Sequence, residues 1–153
     1  MSAERAIPTA HIANLRALLL ASQRFRQAIA DSHDLGVREV VVLGHLAAAD
    51  AGLTPSQLAK RMLIGSGTLT AVLDRLVAGD YARRVPNPQD RRSSVVELTE
   101  SGENFVQLVN EQLEAVLTAA ATDTTADSPV THLARLANAL DERADHHAAA
   151  GGD

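Results

Sequence analysis

The 153-residue sequence predicts a mainly α fold carrying one small β hairpin. Three observations lead there. Apolar residues, largely leucine, valine and alanine, recur at helical spacing over several long stretches, and alanine and leucine lose little side-chain freedom in a helix. Leu53-Thr54-Pro55-Ser56-Gln57 has the form of a helix start: Thr54 as cap, Pro55 at the first helical position and Gln57 three residues after the cap. Tyr81 to Val85 and Ser93 to Leu98 read as two short strands, separated by the turn-rich, charged run Pro86-Asn87-Pro88-Gln89-Asp90-Arg91-Arg92.

In chain order, the first helix places Ile12, Leu15, Leu18, Leu19, Phe25 and Ile29 near helical spacing. It ends in the polar cluster Asp31-Ser32-His33-Asp34, before Gly36. Val37 to Ala49 is the second helix; Val40-Val41-Val42 would also suit a buried strand, but Leu43, Leu46 and the alanine run favour the helix. The third is short, covers Leu58, Ala59 and Met62, and stops at Ile64-Gly65. The fourth opens around Ser66 and carries Leu69, Val72, Leu73 and Leu76 as an apolar stripe, with Ser66, Thr68, Thr70, Ala71, Asp74 and Arg75 opposite. Two short helices joined by a tight, glycine-containing turn make a helix-turn-helix. The hairpin that follows makes it a winged helix-turn-helix. Thr99 then caps a helix with Phe105, Leu108, Val109, Leu113, Val116 and Leu117 on one side. After the polar break Asp123 to Asp127, Ser128-Pro129 opens a last helix bearing Val130, Leu133, Leu136, Ala137 and Leu140.

Composition narrows the function. The chain has 46 % apolar residues, enough for a core, but no Trp, one Tyr and two Phe, so Leu, Val and Ala carry the packing. The absence of cysteine excludes disulfides, thiolate metal sites, thiol nucleophiles and thiol redox sensing. No apolar run approaches the roughly 20 residues of a membrane span, and Met1-Ser2-Ala3-Glu4-Arg5 lacks the order of a signal peptide, so the expected location is cytoplasmic. The net charge of −5 conceals a split: Thr54 to Val95 holds seven basic and three acidic residues, a net +4, which leaves −9 for the rest. A basic segment on an acidic body suits a nucleic-acid-facing surface, although solvated basic faces are also common.

A helix that reads the major groove needs small or polar residues at its N-terminal end, so that base edges come within hydrogen-bonding reach. Ser66, Gly67, Thr68, Thr70 and Ala71 meet that need, and the N–H groups at the helix start suit a phosphate. Asp90-Arg91-Arg92 sets two guanidinium groups at the hairpin tip, beside Arg83 and Arg84, where arginine can enter a narrow minor groove. Asp90 or Asp74 is available to pair with one arginine and pre-set another. Lys60 and Arg75 add charge. Each feature alone equally describes a solvated helix end or turn; their order along the chain favours double-stranded DNA.

On these residues the sequence resembles the MarR family of winged-helix regulators. The resemblance is carried by Leu53-Thr54-Pro55-Ser56-Gln57-Leu58-Ala59, Thr68-Leu69-Thr70-Ala71-Val72-Leu73-Asp74-Arg75-Leu76, and Pro88-Gln89-Asp90-Arg91-Arg92 with Glu97-Leu98-Thr99-Glu100-Ser101-Gly102. It implies a homodimer built mainly from the first and last helices, with Asp90 and Arg92 in the wing motif and Asp74 and Arg75 orienting recognition helix and wing. The expected organisation is an N-terminal dimerisation helix over 1–35, the winged helix-turn-helix over 36–102, C-terminal dimerisation helices over 103–147 and a disordered tail over 148–153, all in one compact domain. Two positions depart from the family pattern. Ala71 stands where relatives often carry a longer polar or basic side chain, and Asp80 replaces a glycine, with Gly79 expected to serve the bend instead.

The resemblance further implies a ligand-responsive repressor on a near-palindromic operator, with a small aromatic or phenolic effector between the dimer helices and the DNA-binding lobe. Arg16, His45 and Tyr81 are the candidate polar groups there, although a lone histidine in an apolar helix more often packs than binds. No metal site is expected: His11, His33, His45, His132, His146 and His147 are scattered. Gly65-Ser66-Gly67 follows no strand and lacks the Lys-Ser/Thr pair of a phosphate loop, and no GxSxG, HExxH or CxxC occurs, so no enzyme activity and no cofactor are expected. Two alternatives stay open: a winged-helix protein-interaction module, or a ligand- or metal-sensing dimer that does not read DNA.

Overall fold

The computed structural model describes residues 9–88, 90 and 92–120. The chain divides into two units, Met1–Asn110 and Glu111–Asp153. Among the described residues the elements run α1 (Thr9–Ser32), α2 (Val37–Ala47), α3 (Pro55–Met62), α4 (Ser66–Ala78), β1 (Ala82–Pro86), β2 (Ser94–Leu98) and α5 (Glu100–Ala120). The mainly α architecture with a small β wing is thus the one expected. The expected last helix from Ser128, the tail, and His132, His146 and His147 lie outside the described residues, as do Gln89 and Arg91 and the side chain of His11.

Local signals account for most boundaries. Thr54 accepts the Gln57 N–H at 3.2 Å through its hydroxyl, and the Gln57 side chain accepts the Thr54 N–H at 2.8 Å, so two orphan donors at the start of α3 are met reciprocally. The Val40–Val42 run is helical, because Val40, Val42, Leu43 and Leu46 fall on one buried face of α2. Thr99 caps α5, its hydroxyl accepting from the Gly102 N–H at 3.2 Å.

Two turns take an unexpected form. The bend between α3 and α4 is made by Leu63, in the left-handed region at φ +52°, whereas Gly65 is extended at φ −67° and serves as the N-cap of α4. After α4 it is Asp80, at φ +58°, that takes the left-handed conformation, while Gly79 stays at φ −83°. The expectation that Gly79 would serve that bend is corrected. Aspartate tolerates this region better than most residues, and the Asp80 carbonyl is held by the Thr99 hydroxyl.

Leu43, Leu58, Leu69, Leu73, Leu76, Val42, Val72 and Val96 are almost fully buried and knit α2, α3, α4 and the wing together. Burying each such leucine or valine contributes about 1.5–3 kcal/mol. The wing is an antiparallel pair in which Ala82 faces Leu98 and Pro86 faces Ser94. Leu53 adds a bridge on Val96, with N–H···O distances of 3.0 and 2.8 Å in the two directions, so β2 is hydrogen-bonded on both edges. That approach demands glycine at position 52: its φ is +69°, and a Cβ there would sit 2.7 Å from the Val96 carbonyl oxygen.

Candidate nucleic-acid interface

Helix α4 buries Leu69, Val72, Leu73 and Leu76 and turns Ser66, Gly67, Thr68, Thr70, Ala71, Asp74 and Arg75 to solvent. Its N-cap, Gly65, has no side chain to bond the first N–H groups, which are left open. The Thr70 hydroxyl donates to the Ser66 carbonyl at 2.9 Å, so outwardly it offers a methyl group and an acceptor. Lys60 is exposed on α3.

Two adjacent side chains tie this helix in different directions. Asp74 accepts from the Arg84 guanidinium of β1 at 2.9 Å, linking helix to wing. Arg75 donates through Nε to Glu39 of α2. Glu39 is the one buried charged side chain among the described residues, and its second carboxylate oxygen accepts the Gly36 N–H. Sequence reasoning missed Glu39. The available signal was its place in the first turn of α2, three residues after the helix cap.

The wing tip is ordered by its own short hydrogen bonds. Asp90 accepts the Arg92 N–H at 3.0 Å through its carboxylate, Asn87 donates to Ser93 through both its backbone N–H and its side-chain amide, and Ser93 N–H donates to the Asp90 carbonyl. Asp90 therefore shapes the turn, and of these two acids it is Asp74 that pairs with an arginine among the described residues. Arg92 is exposed at the tip; Arg91 lies outside the described residues. Arg83 and Arg84, neighbours in sequence, alternate across the strand. Arg84 meets α4, whereas Arg83 pairs with Glu97 on β2 at 3.3 Å and lines a separate groove.

Residues 33–93 match the MarR family model. In sequence the chain is 42 % identical over 72 residues to the multiple antibiotic resistance protein MarR of Escherichia coli K12, and 32 % identical over 107 residues to the HTH-type transcriptional regulator PecS of Dickeya dadantii. These matches cover 44 % and 69 % of this chain, and span 50 % and 64 % of the length of the two relatives. In structure it is similar to the reduced form of E. coli MarR, with a TM-score of 0.61 and 30 % identity, over 90 % of this chain and 99 % of that one. The chain belongs to the MarR family. It also shares its fold with Staphylococcus aureus MepR solved in complex with DNA, at a TM-score of 0.59 and 20 % identity, over 84 % of this chain and 96 % of that one.

Within this MarR-family chain the three residues expected near an effector lie on different segments of the fold. Arg16 is exposed on α1. Tyr81 packs edge-on against Phe105 at 5.7 Å, and Phe105 in turn meets His33 at 5.0 Å, so the tyrosine ring is part of the packing between wing and α5. His45 is half-buried on α2, and burial, followed by the Arg61 charge, holds its pKa below the ordinary value of 6.5. None of the three lines the groove of about 540 Å³ that the C-terminal end of α2, the wing strands and the first half of α5 enclose. That groove combines Leu46, Leu98 and Val106 with Asp50, Arg83, Glu97 and Glu103. Among the described residues no group of three potential metal ligands is gathered, and no helix is long and apolar enough to cross a membrane.

Proposed function

We propose that this chain is a cytoplasmic, homodimeric transcriptional regulator that reads double-stranded DNA through α4 and the wing. One observation carries the reading: the small, polar, exposed face of α4 and the arginine-bearing wing are joined by the Asp74–Arg84 ion pair into one unit. Ser66, Gly67, Thr68, Thr70 and Ala71 would enter the major groove, with Arg92 and Arg91 in the flanking minor groove and Lys60, Arg75 and Arg84 towards phosphates. Arg83, turned to Glu97, contributes through the field rather than by contact. The MepR–DNA complex supports the same use of this fold.

The dimer is supported by apolar side chains left in solvent. Ile12, Leu18, Leu19 and Leu20 of α1 are 42–53 % exposed, and Leu113, Val116 and Leu117 of α5 are also exposed, more apolar surface than a lone helix sustains. A two-fold dimer presents two recognition helices one helical turn apart, hence a near-palindromic operator. Repression relieved by a small molecule is the regulatory reading, with the groove beside Arg83 as the binding place in preference to Arg16, His45 and Tyr81.

The test is to select duplexes from a randomised library with the wild-type protein and then compare Arg92→Ala. Selection should return a near-palindromic site, and Arg92→Ala should bind it more weakly while sedimenting as the same dimer. Failure to enrich any sequence would overturn the reading.

A further inference from the structure

Glu39 presents a physical puzzle. Burying a carboxylate is costly, and the attraction of a buried ion pair repays that cost only when its geometry is good and its remaining hydrogen-bonding groups are satisfied. Here the carboxylate side chain is 3 % exposed but the Arg75 side chain is 63 % exposed, so solvent screens the attraction. As a device for holding α2 to α4 the pair is poor, because an apolar contact would serve as well or better. The arrangement makes sense as an orienting device.

The carboxylate uses one oxygen for the Gly36 N–H at the start of α2 and the other for Arg75 Nε. The first bond fixes the carboxylate to a helix terminus; the second fixes the plane of the guanidinium. The two terminal nitrogens of Arg75 have no partner among the described residues, and the side chain is largely exposed. One turn earlier on the same face is Ala71, and one turn before that are Gly67 and Thr68, all too short to cover the guanidinium. A planar fork held at Nε, with both terminal N–H₂ groups left unpaired among the described residues, can match the bidentate geometry of a phosphate.

We propose that Glu39 is a positioning residue for DNA binding, acting through Arg75, which it orients to clamp one backbone phosphate at the edge of the major groove. This rests on the DNA-reading function proposed above. It assigns sequence-independent affinity to Arg75 and leaves discrimination to the N-terminal end of α4.

The experiment is a double-mutant cycle on the duplex selected by the wild-type protein, with affinity measured over a series of NaCl concentrations. Arg75→Ala should weaken binding about tenfold or more and reduce the log–log salt slope by about 0.9, the loss of one phosphate. Glu39→Gln offers one acceptor to two donors, so it should weaken binding in the wild-type background. It should have no further effect once Arg75 is Ala. Additive losses would mean that Glu39 acts on the fold and not through Arg75, and would overturn the proposal. Arg75→Lys covers the case in which Glu39→Gln does not fold. Lysine keeps the charge but not the oriented fork, so it should retain much of the salt slope while binding more weakly than arginine; full retention of wild-type affinity would overturn the proposal. The two readings fail differently. A wild-type protein that binds no duplex removes the DNA function and this role with it, whereas salt-dependent wild-type binding with an additive cycle removes this role alone.

Discussion

Arg84 of the first wing strand donates to Asp74 of α4 across 2.9 Å, so the wing and α4 are joined by a bond between two solvent-exposed side chains. Exposed ion pairs contribute at most about 1 kcal/mol to stability. The consequence of the pair therefore lies in geometry and charge. Asp74→Asn should leave the denaturant midpoint nearly unchanged. It removes a negative charge from the proposed DNA-facing surface and frees Arg84, so affinity for a scrambled duplex should rise and the ratio of selected to scrambled affinity should fall. Fluorescence anisotropy with both duplexes checks this, and an unchanged ratio would separate the ion pair from recognition.

Gly102 lies in the first turn of α5 against the chain leaving α4. A Cβ there would come within 2.0 Å of the Tyr81 carbonyl oxygen, a backbone atom that cannot swing aside. The Thr99 N–H donates to that same carbonyl. Gly102→Ala should therefore destabilise by about 3 kcal/mol, at the upper end of overpacking effects, in urea melts. A loss below about 1 kcal/mol would mean that α5 shifts without resistance.

Leu63 is a leucine in the left-handed region, 82 % exposed. It carries the backbone cost of φ +52° and recovers little by burial. Leu63→Gly should raise stability by about 1 kcal/mol, measured as a shift in the thermal midpoint. Asp80→Gly should gain less, because aspartate tolerates the same region and the Asp80 side chain accepts from the Ser101 hydroxyl at 3.3 Å.

How much of this was legible in the sequence depended on how local the cause was. The start of α3 was readable because Thr54, Pro55 and Gln57 act on one another within a single turn. The wing tip was readable because Pro86, Asn87, Pro88 and Asp90 carry their own turn chemistry. Glu39 was not, because a glutamate in the first turn of a helix ordinarily faces water, and its partner Arg75 lies 36 positions away. Arg83 and Arg84 received one role because they are adjacent, although strand alternation sends one to Glu97 and the other to Asp74. The bends were expected to use glycine, at Gly65 and Gly79, whereas the left-handed residues there are Leu63 and Asp80. Arg16, His45 and Tyr81 rested on type and position alone, and none of them lines the groove beside Arg83.

His45 links stability to pH. Its folded-state pKa is depressed, by burial first and by the Arg61 charge second, so between 6.5 and that lower value the unfolded chain binds more protons than the folded one. Stability should fall as pH drops through about 6.5, and at higher pH the residue should contribute no slope. Urea melts from pH 5 to 8 should show a steeper acid-side decline for the wild type than for His45→Gln. Parallel curves would remove His45 as the cause.

The most direct measurement of the central claim is a titration of the library-selected duplex at a series of salt concentrations. An arginine-bearing wing joined to a polar recognition helix predicts a linear fall of log affinity with log salt, with a slope of about −0.9 for every phosphate neutralised. The Arg92→Ala variant should show a shallower line at an oligomeric mass unchanged from the wild type. Binding indifferent to salt, or no binding to any duplex, would contradict the account.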